Sequence, residues 1–227
     1  MVRLNFAEEL VHAERGLLSE GTLVGKQLER VMQALEDRNL ELAELVIAED
    51  DAVDDLYLGT DARVLNLIAL QAPVAGDLRL VSAILHSNVH LERMGDLCVN
   101  IAKSVLNDHP YPSDSPMLER LQEMGERARG MLDLALDAMR QRSADLAEEL
   151  PVKDDALDRL NRGMLGDLKR YADDERNFEW AVHLILIARY LERFGDHAVD
   201  IGEQVSFLAT GVFREFEDAS HPFDADV

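Results

Sequence analysis

The chain carries nearly the same eleven residues twice, one hundred positions apart, so any fold for it has to present both copies alike. Residues 91–101 read LERMGDLCVNI and residues 191–201 read LERFGDHAVDI, sharing the Leu, Glu, Arg, Gly, Asp, Val and Ile. Each copy sets a Glu and an Asp four apart, Glu92 with Asp96 and Glu192 with Asp196. On a helix that spacing stacks two carboxylates one turn apart on one face. Like charges there cost a helix about 0.2–0.5 kcal/mol. A chain that incurs this cost twice, in the same context, has something for the acids to hold.

A second pair of stretches repeats as well. Residues 40–54, LELAELVIAEDDAVD, align with residues 144–158, ADLAEELPVKDDALD, at an offset of 104. They add two further pairs at the same spacing, Asp50 with Asp54 and Asp154 with Asp158. The change of offset places about one extra helical turn in the first copy, between its second and third helices. The pattern is that of a duplicated three-helix unit.

Apolar residues recur with helical period nearly throughout, and no stretch alternates as a strand does. The expected helices span about 4–37, 40–71, 77–107, 117–141, 144–172 and 176–210, the second stopping ahead of Pro73. Pro151 falls near the start of the fifth helix or at a kink in it. NDHPYPSDSP, residues 107–116, is the one obvious linker. The expected fold is all-α: six helices as two tandem, pseudo-symmetric three-helix bundles, residues 1–109 and 114–212, followed by an unstructured acidic tail, 213–227.

A net charge of −22 repels phosphates and argues against a nucleic-acid partner. It suits a protein that attracts cations or basic surfaces, or one that works in high salt. With Cys98 as the one cysteine, an intrachain disulfide is excluded. The N-terminus has no apolar signal core, and the apolar stretches are too short to span a bilayer. The expectation is a cytoplasmic protein without direct membrane insertion.

A single acid pair at this spacing means little in a chain with 45 acidic residues. Position and repetition give these pairs their weight. The stripe Ala181, Ile185, Ala188, Glu192, Asp196, Val199 is apolar except at the acids, and Ala43, Ile47, Asp50, Asp54 runs the same way. Carboxylates so placed are expected to bind a metal, to pair with Arg93 or Arg193, or to be protonated. Oxygen donors suit magnesium, manganese and iron, and zinc accepts them. Asn100 and Asp200 lie one turn further along and are candidate extra ligands. Gly95 and Gly195 suit close approach at the acids, since a mid-helix Gly otherwise costs about 1 kcal/mol. His86 and His90 could make a metal pair, but core or interface histidines fit their surroundings better. His183 and Cys98 read as core residues. The Glu-x-x-His spacing of di-iron helices is absent at these acids, which counts against oxygen activation.

These motifs, LERxGD on each third helix and DxxxD on each second, resemble those of the PhoU family. QAPVAGDLRLVSAI, residues 71–84, resembles the segment ahead of the first motif in PhoU-like proteins, with wording closest to actinobacterial members. The resemblance covers about residues 5–211. It implies metal clusters, often of iron or zinc, held by Asp50, Asp54, Glu92 and Asp96 in one half and by Asp154, Asp158, Glu192 and Asp196 in the other. It implies a cytoplasmic, non-enzymatic negative regulator of phosphate uptake and phosphate-starvation signalling. Its partners would be the phosphate ABC transporter ATPase and a sensor histidine kinase, and it would form a homodimer. Asn100 opposite Asp200, and Pro151 beside Asp154, depart from strict repetition. The residues alone leave two other readings open: a metal-dependent phosphohydrolase that activates water at the carboxylates, and a helical scaffold whose acids are salt-bridged.

Overall fold

The computed structural model describes residues 2–107, 115–171 and 175–216, and among these every regular element is helical. The inner part of the expected linker and the tail from residue 217 lie outside the described residues. The first half contains α1 (Val2–Asp37), α2 (Leu40–Ala48), α3 (Asp50–Gln71) and α4 (Ala75–Leu106). The second contains α5 (Pro116–Gln141), α6 (Ala144–Ala147), α7 (Leu150–Leu168), a 3-10 turn (Lys169–Tyr171) and α8 (Glu175–Thr210).

Local chemistry sets the ends. Asn39 caps α2 by accepting from the Leu42 N–H at 3.0 Å. Ser115 caps α5, and Pro116 follows in the first turn, where its missing N–H is harmless. α3 ends at Ala72 in a left-handed conformation, with Pro73 next, as the sequence predicts. Measured from the equivalent Asp54 and Asp158, α3 runs on to Gln71 whereas α7 and its 3-10 turn end four residues sooner, at Tyr171, which is the extra turn expected in the first half.

The structure departs from the sequence reading in one respect: the second helix of each half is broken. In the first half the break falls at Glu49, which ends α2 and begins α3. The Ala52 N–H reaches back only three residues, to the Glu49 carbonyl, at 3.1 Å. The new helix therefore starts with Asp50 and Asp51 in its first turn, where the helix dipole favours acids. In the second half the break falls at Glu148–Glu149, and Pro151 sits in the first turn of α7. Pro151 thus starts a helix rather than kinking one.

Within the halves, α1, α3 and α4 pack together, as do α5, α7 and α8. Across them α4 lies on α8 and α1 on α5. Arg79, early in α4, lies beside Gly211, just past α8, whereas His90 meets His197, so the two helices run antiparallel. Leu28 and Leu91 from one half and Leu121 and Phe194 from the other are all at most 1 % exposed and share one continuous core. The four long helices form the centre of the molecule, with α3 and α7 flanking it. The acid motifs fall where each flanking helix meets α4 or α8.

Candidate metal centre

In the first half, the four motif acids crowd together. Asp50 is pushed up by burial and by the charges of Asp54, Asp96 and Asp51, against a hydrogen bond from Gln27. Glu92 is pushed up by burial first, then by Asp96, Asp54 and Asp50. Arg93 offers partial relief, with Nη1 3.1 Å from Asp96 and Nε 3.4 Å from Glu92. The Arg pairing anticipated for this half is therefore present, yet it leaves both Asp50 and Glu92 raised.

A fifth carboxylate, Glu20 on α1, joins this set. Its side chain is fully buried, and neither of its oxygens has a hydrogen-bond partner. Burial, then Glu92, then Asp54 push its pKa up to about 9. Gln27, two turns further along α1, is also fully buried and donates to Asp50 Oδ1 at 3.4 Å, while its own Oε1 has no partner. Sequence reasoning missed Glu20 because it belongs to no repeated pair. The signal was its place on the buried stripe of α1, three residues after Leu17 and four before Val24.

The second half repeats the arrangement on poorer chemistry. Glu192 is 7 % exposed, and burial, followed by Asp196, raises it to about 7. Its Oε1 is paired with Arg189, and its Oε2 has no partner. The ion-pair partner is thus Arg189, one turn earlier, rather than the expected Arg193. Asp196 is raised by burial and by Asp158 and Asp200, against Arg189. Asp158 accepts from Arg162 at 3.0 Å.

A Cβ added at Gly95 would meet Val53 at 3.3 Å, Gln27 Oε1 at 3.4 Å and Asp50 Oδ1 at 3.5 Å. At Gly195 it would meet Leu157 at 2.5 Å, Asp154 Oδ1 at 3.0 Å and Met131 at 3.3 Å. The neighbours correspond one for one at an offset of 104, so Asp154 keeps the place of Asp50 despite Pro151. By the same offset Gln27 becomes Met131 and Glu20 becomes Met124, both fully buried. The first half therefore offers five carboxylates and an amide where the second offers four carboxylates and two thioethers.

Other sequence candidates fall elsewhere. Asn100 lies partly buried one turn past Asp96, and its backbone carbonyl accepts from the Ser104 hydroxyl. Asp200 turns away from the acids to His90 and His197. His86 is exposed, with Nδ1 2.8 Å from the Ser82 carbonyl, so it forms no pair with His90. His90 is an interface residue, as preferred from sequence. His183 is partly buried, and Cys98 is fully buried, its thiol pushed up by desolvation and by Asp50.

The donors present fit a cation. Both Glu20 oxygens and Glu192 Oε2 are buried without a donor, and like charges raise their neighbours. A buried carboxylate oxygen in that state needs a proton or a positive ion. In neither set do three carboxylate oxygens come within 4.8 Å of one another. The sets would draw in around one ion or hold more than one.

Comparisons with known proteins agree with the fold and the repeat. The family model described as "PhoU domain" matches the chain twice, over residues 17–105 and 121–205. A phosphate-specific transport system accessory protein PhoU homolog from Clostridium acetobutylicum is 32% identical over 93% of this chain and 97% of its own length. A homolog from Mycobacterium tuberculosis is also 32% identical, over 93% of this chain and all of its own length, so identity does not single out the actinobacterial relatives. The crystal structure of PhoU from Pseudomonas aeruginosa superposes with a TM-score of 0.84 at 32% identity, covering 91% of this chain and 100% of that one. That of the phosphate transport system regulatory protein PhoU from Streptococcus pneumoniae gives 0.83 at 30%, covering 93% and 100%. With two domain matches, relatives aligned along nearly their full length and the same fold in a crystal structure, this chain belongs to the PhoU family.

Proposed function

We propose that the chain is a cytoplasmic, metal-binding adaptor that dampens phosphate uptake and phosphate-starvation signalling, acting between the phosphate ABC transporter ATPase and a sensor histidine kinase. Family membership supports the phosphate setting, since the relatives are phosphate-specific transport system accessory or regulatory proteins. The observation that carries the metal-binding part is the pair of equivalent carboxylate sets, each holding buried oxygens without a donor. Among the described residues no helix is long and apolar enough to cross a membrane, which accords with work beside the transporter rather than within the bilayer.

Glu20, Asp50, Asp54, Glu92 and Asp96 would hold the ion or ions of the first half, and Asp154, Asp158, Glu192 and Asp196 those of the second. A bound iron, zinc, manganese or magnesium ion supplies the positive charge that these carboxylates lack. The residues themselves do the rest. Asp50 and Asp54 bring α3 to the site, Glu92 and Asp96 bring α4, and Glu20 brings α1, so neutralising them fixes three helices at one point. Arg93 and Arg189 already neutralise part of each set, and Gln27 orients Asp50. This is a structural and signalling use of the acids, with no reaction at them, and so a non-enzymatic function. The net charge of −22 supports docking on basic surfaces of the partners. A homodimer would present two such surfaces.

The test pairs metal analysis with partner capture. Protein purified without chelator should contain metal, falling by about half in Glu92→Ala/Asp96→Ala and in Glu192→Ala/Asp196→Ala. Under phosphate-rich conditions it should retain the ATPase or the kinase in a pull-down, more weakly as salt shortens the Debye length from about 10 Å at 0.1 M. Failure to retain either partner would overturn the adaptor reading. Metal-free protein that cannot be reloaded would overturn the metal.

A further inference from the structure

Where α4 crosses α8, and so where the first half meets the second, three side chains outside the acid sets converge. His90 Nδ1 stands 3.2 Å from His197 Nδ1 and 3.2 Å from Asp200 Oδ2. His197 Nδ1 stands 3.3 Å from that same oxygen. The three atoms form a nearly equilateral triangle. Zinc held tetrahedrally by imidazole nitrogen and carboxylate oxygen, at about 2.0–2.2 Å, sets neighbouring ligand atoms about 3.3 Å apart.

Hydrogen bonding can fill two edges of the triangle but not all three. Each Nδ1 carries either one proton or one lone pair. If both nitrogens donate to Asp200, its oxygen accepts two N–H bonds and the two nitrogens stand 3.2 Å apart with no bond between them. If one donates to the other, the acceptor's remaining edge sets a nitrogen without a proton against a carboxylate oxygen. One edge is mismatched in either arrangement, whereas an ion above the centre receives all three lone pairs. Nitrogen donors also select against magnesium and calcium and favour zinc and its neighbours.

The site is no copy of the duplicated unit. Its three residues stand where the repeats differ, His90 against Tyr190, His197 against Leu97, and Asp200 against Asn100. The side chains of His90, His197 and Asp200 are 24%, 18% and 42% exposed, which leaves room for water as a fourth ligand.

We propose that His90, His197 and Asp200 bind one divalent transition-metal ion of zinc's class, which clamps α4 to α8 and so the first half to the second. This site shares no ligand with the carboxylate sets and brings two imidazole nitrogens to its one carboxylate, although the charges of His197 and Asp200 reach Asp196 of the second set.

Full-length protein stripped with chelator and titrated with Co²⁺ should develop the visible absorption of a tetrahedral nitrogen–oxygen site, and Zn²⁺ should bleach it. Zn²⁺ should also raise the melting temperature, because a ligand of the folded state stabilises it. His197→Leu and Asp200→Asn, each the residue of the other repeat, should abolish the cobalt bands and weaken one equivalent of zinc at least ~100-fold. Glu92→Ala/Asp96→Ala and Glu192→Ala/Asp196→Ala should keep the bands. Circular dichroism checks the fold, and near-isosteric Asp200→Asn decides the matter if His197→Leu does not fold. A wild type without tetrahedral bands, or bands that survive in Asp200→Asn, would overturn the site. So would bands lost only from the carboxylate variants, which would place the ion there.

Discussion

Glu20 is where a single side chain has the largest consequence. Its ordinary carboxyl pKa of 4.5 rises to about 9 in the folded chain without an ion, through burial first and then Glu92 and Asp54. The folded state therefore holds that proton more tightly than the unfolded state. The stability this contributes is fully present below about pH 4.5 and is lost as pH rises through about 9. Glu192, raised to about 7 by burial and Asp196, adds a narrower window of the same sign. Denaturant unfolding of chelator-stripped protein should thus show stability falling from pH 5 to 9, each group contributing at most about 1.4 kcal/mol per pH unit. Glu20→Gln should flatten the upper part of that decline, and an unchanged slope would mean that Glu20 does not hold its proton. Glu20→Met copies Met124 of the other half. It should stabilise the metal-free chain at pH 8 by about 1–3 kcal/mol, by removing an unsatisfied buried carboxyl. The same substitution should weaken metal retention in the first half, read by metal analysis after dialysis. A site that lost stability and kept its metal would contradict the role given to Glu20.

At the scale of helices, the two mid-helix glycines measure how closely α3 and α7 approach. An added methyl at Gly95 meets Gln27 and Asp50 oxygens at 3.4–3.5 Å in ordinary contact and Val53 at 3.3 Å, which must give by a few tenths of an ångström, a cost offset by a helix-propensity gain of about 1 kcal/mol. Gly195 has Leu157 at 2.5 Å and Asp154 Oδ1 at 3.0 Å, and Leu157 is fully buried with little space to retreat. Gly195→Ala should therefore cost about 1–3 kcal/mol, as overpacking does. It should also displace Asp154 and deplete second-half metal, whereas Gly95→Ala stays within about 1 kcal/mol of wild type. Thermal melts and metal content of the two variants check both statements. Helices were legible because their apolar period is long and uninterrupted, and the acid pairs because they occur twice. The breaks at Glu49 and at Glu148–Glu149 were not, since a break within continuous helical periodicity leaves no mark beyond Pro151. His197 was missed for the opposite reason: its partners His90 and Asp200 include one from the other half, and neither repeat contains the site whole.

For the whole molecule, the duplication supplies the scaffold twice and the chemistry unequally. One core runs through both halves, so the two carboxylate sets are held by a shared rigid centre and differ mainly in their donors. In the first set Glu20 adds a carboxyl, which holds its proton until an ion displaces it, and Gln27 an amide oxygen, both fully buried; in the second, Met124 and Met131 add only packing. The second set also has a closer competitor for the ion, since Arg189 is paired with Glu192 and Arg162 with Asp158. More oxygen donors and less competing cation both favour ion retention, so the first half should hold its metal more tightly, most clearly toward pH 9, where Glu20 loses its proton. Protein loaded with Mn²⁺, which oxygen donors favour, should release it to increasing chelator in two phases. The first phase should vanish in Glu192→Ala/Asp196→Ala and the second in Glu92→Ala/Asp96→Ala. Glu20→Met should bring the second phase toward the first without altering the first. The reverse order of assignment would overturn this ranking, and release in a single phase in wild type would mean that the four shared acids alone set affinity. The residues by which the halves diverge would then bear on packing and not on metal.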